Sequence, residues 1–251
     1  MLTIFRDLLS PPRHIILLVI AAWIGLNFAE KRAERHGINK DDLNNVIFYG
    51  FIAFIIGGRV SFVLQNTSTF LKSPFGIVSI NPDIFDPFGA VAVAFIVAMI
   101  YGQRRILSFW NTLDALTPLF AILAIGLGLS HLAAGTAFGK ETDLSWGINL
   151  WNAKRHPTQI YETLASVLTF SLLWIKKHDP RPGILFLTFA ALTAGSQLFI
   201  QAFRADSTLV FNSLSQEQII AWIVLAICFV LLELRFKQYT QGKISKVKKL
   251  A

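Results

Sequence analysis

The chain has 251 residues, of which 54% are apolar and 15% are charged. Soluble domains carry roughly 45–50% apolar and about 25% charged residues, so this composition excludes an ordinary soluble enzyme. The net charge is +8, but most of the cations stand between apolar runs, which explains them by membrane topology. We therefore expect no nucleic-acid partner.

Apolar runs recur along the whole length and predict an all-α, polytopic membrane protein, because a segment without access to water must satisfy its backbone as a helix. Seven runs are candidate transmembrane helices: 15–29, 45–66, 88–103, 115–135, 159–175, 184–203 and 218–234. We expect one membrane-embedded domain over residues 1–251. Its outward-facing loops are 67–87 and 136–158, and its basic cytoplasmic tail is 235–251.

The cations predict the orientation of these runs. Those that follow the first, third, fifth and seventh runs fall on one side of a seven-span chain: Lys31, Arg32, Arg35, Lys40, Arg104, Arg105, Lys176, Lys177, Arg181, Arg235, Lys237, Lys243, Lys246, Lys248 and Lys249. Since positive loops stay in the cytoplasm, we expect the N-terminus outside and the C-terminus in the cytoplasm. The basic tail is then expected to lie against anionic membrane lipids.

Residues 155–162 read Arg-His-Pro-Thr-Gln-Ile-Tyr-Glu and stand where a polar loop meets the fifth run. A helix that begins at Pro157 presents unpaired N–H groups and the positive end of its dipole. Arg155 adds a full charge beside that end, and Gln159 and Glu162 share one helix face. The pattern predicts an anion site at the membrane rim. A capped helix whose Arg–Glu pair holds two spans together explains it equally well.

Four other ionisable residues lie in or beside the runs. Arg204 ends the sixth run on the same predicted side and offers a second cation for a phospholipid phosphate. Arg59 follows a glycine pair in the second run, and a buried arginine in a span is a functional candidate. His131, near the outer end of the fourth run, fits proton handling and hydrogen-bonded packing equally well. We expect Asp114 to be a structural, helix-start carboxylate.

The remaining reactive residue types predict neither a metal nor a cofactor. Cys228 is the single cysteine and lies in the last run, which excludes a disulfide within the chain and suits a packed apolar position. No phosphate-binding loop or covalent-nucleophile motif occurs. The histidines show no metal-ligand spacing: His14, His36, His131, His156 and His178.

The octapeptide resembles the signature Arg-His-Pro-Ser/Thr-Gln-Leu/Ile-Tyr-Glu of the prolipoprotein diacylglyceryl transferases of bacterial membranes. Residues 144–148, Leu-Ser-Trp-Gly-Ile, are similar to that family's Leu-Pro-Trp-Gly-Ile/Val. Arg204 follows a phenylalanine as in the family's Phe-Arg-Glu-Pro-Asp element, and Arg59 resembles the arginine of its second span. The similarity extends over residues 15–235 and is strong at 139–162.

The resemblance implies a bacterial inner-membrane transferase. Its reaction moves a diacylglyceryl group from phosphatidylglycerol to the lipobox cysteine of a prolipoprotein signal peptide, and glycerol phosphate leaves. Arg155 and Arg204 would meet the charge that grows on the phosphate. We add His131, helped by Glu162, as a candidate base for the thiol, because imidazole titrates near neutral pH. Binding roles are expected for Arg59, His156, Gln159 and Tyr161.

The chain also departs from the family's Gly-Arg-Ile-Gly-Asn-Phe-Ile-Asn-Gly-Glu stretch. Gly128 stands at its arginine, His131 and Ala134 at its asparagines, and Thr136 at its glutamate. The family's His-Gly-Gly is absent, and Ala205 replaces the glutamate after the arginine. These departures favour a second hypothesis, a non-catalytic lipid-binding or scaffold homologue. A small-solute transporter, a third class, predicts inverted repeats that the sequence does not show.

Overall fold

The computed structural model describes residues 13–78, 84–175, 179–210 and 214–250, with side chains as far as residue 241. Residues 79–83 of the predicted loop 67–87, and the side chains beyond 241 in the predicted basic tail, lie outside this description. The described helices are α1 (Arg13–Ala33), α2 (Lys40–Gln65), α3 (Thr67–Lys72), α4 (Pro87–Arg104), α5 (Phe109–Ala134), α6 (Thr158–Ile175), α7 (Ile184–Ile200) and α8 (Gln216–Leu250).

Short non-helical and 3₁₀ segments join the long helices. Among the described residues, β1 (Ile148–Leu150) pairs antiparallel with β2 (Ala153–Arg155), and β3 (Leu209–Val210) pairs antiparallel with β4 (Leu214–Ser215). Single 3₁₀ turns cover Glu34–His36, Pro74–Val78 and Gln201–Phe203.

Six of the described helices are long and apolar enough to cross a membrane: Arg13–His36, Lys40–Gln65, Pro87–Arg104, Phe109–Ala134, Ile184–Phe203 and Gln216–Gln241. They confirm the predicted class, a helical protein with several membrane spans. Helix α6, the fifth predicted span, is not among these six helices, because its polar first turn lowers its mean hydropathy. Seven spans and the orientation of the termini stay predictions.

The chain packs into two compact units, one of residues 37–112 and one that combines α1 with residues from 113 onward. The single domain over residues 1–251 therefore stays a prediction. In the unit of residues 37–112, α2 and α4 approach closely at glycines. A Cβ at Gly57 would lie 2.5 Å from the Cβ of Val93, so the absence of a side chain at this position permits the close approach.

Asp86 is the N-cap of α4 and ties that helix to α2. Its carboxylate accepts hydrogen bonds from the backbone N–H groups of Phe88 and Gly89 at 3.2 and 3.0 Å. It also accepts from the Ser61 hydroxyl at 2.6 Å and the Gln65 amide at 2.8 Å. The Ser61 hydrogen bond is the largest of the effects that hold the pKa of the Asp86 carboxyl below its usual value. The Asp86 side chain is therefore stabilised in its ionised form, in which it caps α4.

In the other unit, Asp114 joins α5 to α7. Its side chain is 1% exposed and accepts hydrogen bonds from the backbone N–H groups of Gly183 at 2.6 Å and Phe186 at 2.8 Å. It therefore serves as a helix-start carboxylate, as expected, but for α7 and not for its own helix. Both bonds satisfy N–H groups that a helix start leaves unpaired.

Arg32 holds the far end of α6, opposite the octapeptide. Its guanidinium donates to the carbonyl oxygens of Leu173 at 3.3 Å and Trp174 at 2.6 Å, and it stacks on the Trp174 ring at 3.8 Å. Both carbonyls belong to the last described turn of α6, where a cation is also favoured by the helix dipole. The contact fixes α6 against α1.

Candidate functional site

A short antiparallel ribbon carries the two predicted phosphate-binding arginines. Its central strand, residues 138–142, pairs with residues 203–205 on one side and with residues 154–156 on the other. The backbone N–O distances across these pairs are 2.7–3.0 Å. On the outer side of β2 lies β1. The loop predicted at 136–158 is thus an ordered platform that joins the end of α5, the start of α6 and the segment after α7.

The register of the ribbon places both arginines on one face. Gly139 lies opposite Arg204, and Glu141 lies opposite Arg155. Because side chains alternate along a strand, residues 139 and 141 share a face, and so do the residues opposite them. With the spacing of strands and of residues along a strand, the two arginine Cα atoms are on the order of 10 Å apart.

Gly139 is required by the path of the chain over that face. A Cβ at this position would overlap the backbone oxygen of His156 and would lie 2.6 Å from its Cβ. The absence of a side chain lets residues 156–158 cross directly above the ribbon. Helix α6 therefore begins next to the two arginines.

Two buried polar side chains fasten the first turn of α6. The Thr158 hydroxyl donates to the carbonyl of Ala137 at 2.5 Å, and the Gln159 amide donates to the carbonyl of Thr136 at 2.8 Å. Both side chains are fully buried. Within the described residues, the Gln159 Oε1 atom is buried without a hydrogen-bond donor. The first turn is thus held rigidly, as the capped-helix hypothesis also requires.

Glu162 lies one turn further and brings three segments together. Its Oε2 is 2.9 Å from His131 Nδ1 on α5, and its Oε1 is 3.7 Å from Arg204 Nη1 after α7. The Glu162 side chain is 7% exposed. A buried carboxylate needs such partners, since desolvation without them is costly. His131, Glu162 and Arg204 form one cluster, although 31 residues separate the first two.

The two arginines are held in different ways. Arg155 donates to the carbonyls of Leu150 at 3.2 Å and Gly139 at 3.4 Å, and it lies 3.3 Å from the largely exposed carboxylate of Glu141. Carbonyls orient the guanidinium without neutralising it, and an exposed ion pair is weak. Arg204 instead has a close carboxylate partner in Asp206, at 2.9 Å.

Aromatic side chains stand beside Arg204. The His156 and Tyr161 rings lie 5.0 and 6.3 Å from the ring of Phe203. The Tyr161 hydroxyl accepts from Trp146 Nε1 at 3.0 Å and is 3.5 Å from His156 Nδ1. Trp146 is 58% exposed, as suits an indole at headgroup level.

Arg59, the remaining predicted binding residue, belongs to the unit of residues 37–112. Its guanidinium donates to the carbonyls of Ile77 at 3.0 Å, Ile84 at 2.9 Å and Gly76 at 2.7 Å. These bonds hold the segment that follows α3. The observed contacts are thus with the chain itself, and a role of Arg59 in substrate binding stays a prediction.

Sequence reasoning missed two of the carboxylates that contact the arginines, Asp206 and Glu141. Asp206 could have been suspected, because it stands two residues after Arg204. Glu141 gave no signal, because its pairing with Arg155 depends on the register of the ribbon.

The sequence model of the family described as "Prolipoprotein diacylglyceryl transferase" matches residues 14–234. The chain belongs to this family. Among its relatives is the phosphatidylglycerol–prolipoprotein diacylglyceryl transferase of Lactiplantibacillus plantarum, with 27% identity over 83% of this chain and 79% of the relative. The enzyme of the same name from Clostridium tetani is 27% identical over 85% of this chain and 87% of the relative.

The structure gives a physical reason for one departure from the family's sequence pattern. A Cβ at Gly128 would lie 2.5 Å from Thr163 Oγ1 and 2.9 Å from the Thr163 backbone nitrogen. The family's arginine would therefore require α5 and α6 to move apart. In this chain the two helices meet instead, and His131 fills the position next to Glu162.

Proposed function

We propose that the protein transfers a diacylglyceryl group from phosphatidylglycerol to the lipobox cysteine of a prolipoprotein signal peptide. One observation carries the proposal: Arg155 and Arg204 occupy one face of the ribbon at the start of α6. Relatives named for this reaction, similar over most of their length, add support. The reaction takes place at the outer face of the bacterial inner membrane.

The reaction joins sulfur to the glyceryl carbon and releases glycerol phosphate. Charge therefore grows on a phosphate oxygen as the carbon–oxygen bond breaks. Arg155 and Arg204 meet that charge with oriented donors, and the positive end of the α6 dipole adds to their effect. The ribbon places both arginines on one face before the lipid arrives, which lowers the cost of bringing their guanidinium groups to the phosphate.

The other predicted site residues have binding and proton-handling roles. His156 and Tyr161 form an aromatic wall beside the headgroup, Gln159 holds the first turn of α6, and Arg59 orders the loop after α3. His131 and Glu162 complete the catalytic set. None of these roles requires a metal or a cofactor.

The topology follows from the same proposal. Helix α6 has 18 residues and is therefore about 27 Å long, close to the thickness of the hydrocarbon layer. We assign it as a membrane span, the fifth in chain order, with its polar first turn at the outer rim, which brings the number of spans to seven. Seven spans then put the N-terminus outside and the basic tail in the cytoplasm, within one membrane-embedded domain.

Complementation tests the proposal. Cells depleted of their own transferase receive the wild-type gene, Arg155→Ala, Arg204→Ala or the control Arg105→Ala. Arg105 is a matched control because it is an arginine paired with a carboxylate, Asp42, within the unit of residues 37–112. We expect wild type and the control to restore lipoprotein modification, and the two site variants to lose on the order of 10²–10³-fold in rate. Equal rescue by all four would contradict the proposal.

A non-catalytic lipid-binding homologue is the second candidate. The observation that favours it is the pairing of Arg204 with two carboxylates, Asp206 and Glu162, which holds the cation in the absence of lipid. Purified protein in nanodiscs distinguishes the two. Binding of phosphatidylglycerol without formation of a thioether, where a homologous transferase is active, would select the second candidate.

A further inference from the structure

We propose that Glu162 couples deprotonation of the acceptor thiol to stabilisation of the departing phosphate. It holds His131 in the tautomer whose Nε2 accepts the proton of the acceptor thiol, and it restrains Arg204 until that proton arrives. This inference rests on the proposed function. His131 is then a catalytic residue, and Glu162 is a positioning residue that acts through both neighbours.

The tautomer follows from the geometry. An ionised carboxylate can only accept hydrogen bonds, so at 2.9 Å the shared hydrogen sits on His131 Nδ1. A neutral imidazole with hydrogen on Nδ1 has its lone pair on Nε2. His131 is 26% exposed while Glu162 is 7% exposed, so the imidazole extends outward from the buried carboxylate. No hydrogen bond joins Nε2 to another described residue.

The second oxygen of Glu162 provides the coupling. Oε1 lies 3.7 Å from Arg204 Nη1, so the buried negative charge attracts the arginine while His131 is neutral. Once Nε2 takes a proton, the imidazolium neutralises that charge, and the attraction on Arg204 falls. The guanidinium is then released toward the phosphate at the moment when negative charge grows there.

The charged groups around the cluster come from three segments. Glu162 is on α6, Arg155 and Glu141 are on the ribbon, and Arg204 and Asp206 follow α7. They comprise two cations and three carboxylates.

The step balances as follows. The thiol proton moves to Nε2, and the sulfur lone pair forms the carbon–sulfur bond. The bond between the glyceryl carbon and the phosphate oxygen breaks, and its electron pair leaves on glycerol phosphate. The proton then passes from Nε2 to that phosphate, which returns His131 to its neutral form.

The alternative proton acceptors are less suited. His156 has its Nδ1 next to the Tyr161 hydroxyl at 3.5 Å, and its ring lies 5.0 Å from the Phe203 ring in a tilted arrangement. Asp86 accepts four hydrogen bonds as the cap of α4 and has a lowered pKa, so it is a poor base.

The pH dependence of transfer tests the coupling. We expect kcat/KM of the wild type to fall on the acid side as His131 becomes protonated. Glu162→Gln keeps the size and one acceptor but removes the negative charge next to His131, so the midpoint of that fall moves to lower pH. His131→Gln removes the fall and lowers the rate on the order of 10²–10⁴-fold.

Asp206→Asn is the matched control, because it removes a carboxylate that touches Arg204 but not His131. We expect it to change KM for phosphatidylglycerol and to leave the midpoint in place. The same midpoints are measured without substrate from the imidazole NMR signals of histidine-labelled protein, where His131 is assigned by its loss in His131→Gln. These spectra also establish that each variant is folded.

Two results separate this inference from the proposed function. An unchanged midpoint in Glu162→Gln, or full activity in His131→Gln, overturns the inference while the transferase function stands. A wild-type protein that transfers no diacylglyceryl group overturns both.

Discussion

Gly139 lies opposite Arg204 in the ribbon, and the backbone of His156 crosses the space that a side chain at position 139 would fill. This one close approach sets both the position of Arg204 and the start of α6. The site therefore depends on a residue that has no functional group of its own.

We expect Gly139→Ala to impair the site. The added methyl group must displace the backbone of His156, which moves the first turn of α6 relative to both arginines. A displacement of about 1 Å in a site of this kind costs on the order of 10²-fold in rate. Transfer activity and the thermal midpoint measure the effect.

Gly195→Ala is the matched control for Gly139→Ala. It lies in α7, and nothing stands within 4 Å of a Cβ at that position. Since alanine is favoured over glycine in a helix by about 1 kcal/mol, we expect equal or higher stability and unchanged activity. Full activity in Gly139→Ala would contradict the role given to the close approach.

Gly128→Arg restores the residue that the family has, and we expect it to reduce activity. The side chain must pass the Thr163 backbone nitrogen, which would lie 2.9 Å from the new Cβ. Overpacking of this kind destabilises by about 1–3 kcal/mol. Denaturant unfolding and transfer activity check the prediction. Higher activity in Gly128→Arg would show that the helices separate easily and that the chain lacks only its arginine.

The octapeptide could be found from sequence because its residues cooperate within two helical turns. The contact between Glu162 and His131 could not be predicted from sequence, because no local pattern links residues that are 31 positions apart. The shared face of Arg155 and Arg204 depends on the register of residues 138–142, which sequence periodicity does not specify over so short a strand.

The membrane class was predictable from the apolar runs, whereas the role of each charge was not. Arg32 stood among the cations that predict orientation, yet its guanidinium is buried on the end of α6. Asp114 was expected at a helix start, but the helix that it caps is α7, whose N-cap residue Gly183 stands 69 residues later. In both cases the side chain forms hydrogen bonds with backbone groups at the end of another helix, and only the packed structure shows which helix that is.

Replacement of Asp114 tests the joint between α5 and α7. Asp114→Ala leaves the N–H groups of Gly183 (buried) and Phe186 (partly buried) without acceptors, and a buried group left in this way costs about 1–3 kcal/mol. We expect Asp114→Asn to lose less, because its amide oxygen keeps one of the two bonds. Denaturant unfolding in detergent measures both variants. Equal stability of Asp114→Ala and wild type would contradict the capping role.

Asp86 provides a test by pH. Its folded-state pKa is lowered, chiefly by the Ser61 hydroxyl, so its contribution to stability is fully present above the unfolded pKa of about 3.9. That contribution is lost as pH falls through the lower folded value. We expect Asp86→Asn to melt at a lower temperature than wild type at pH 7, and the difference to shrink as the pH falls below 4. Calorimetry in nanodiscs at both pH values checks this. A difference that is the same at pH 7 and at pH 3 would mean that the charge of Asp86 does not contribute to the cap.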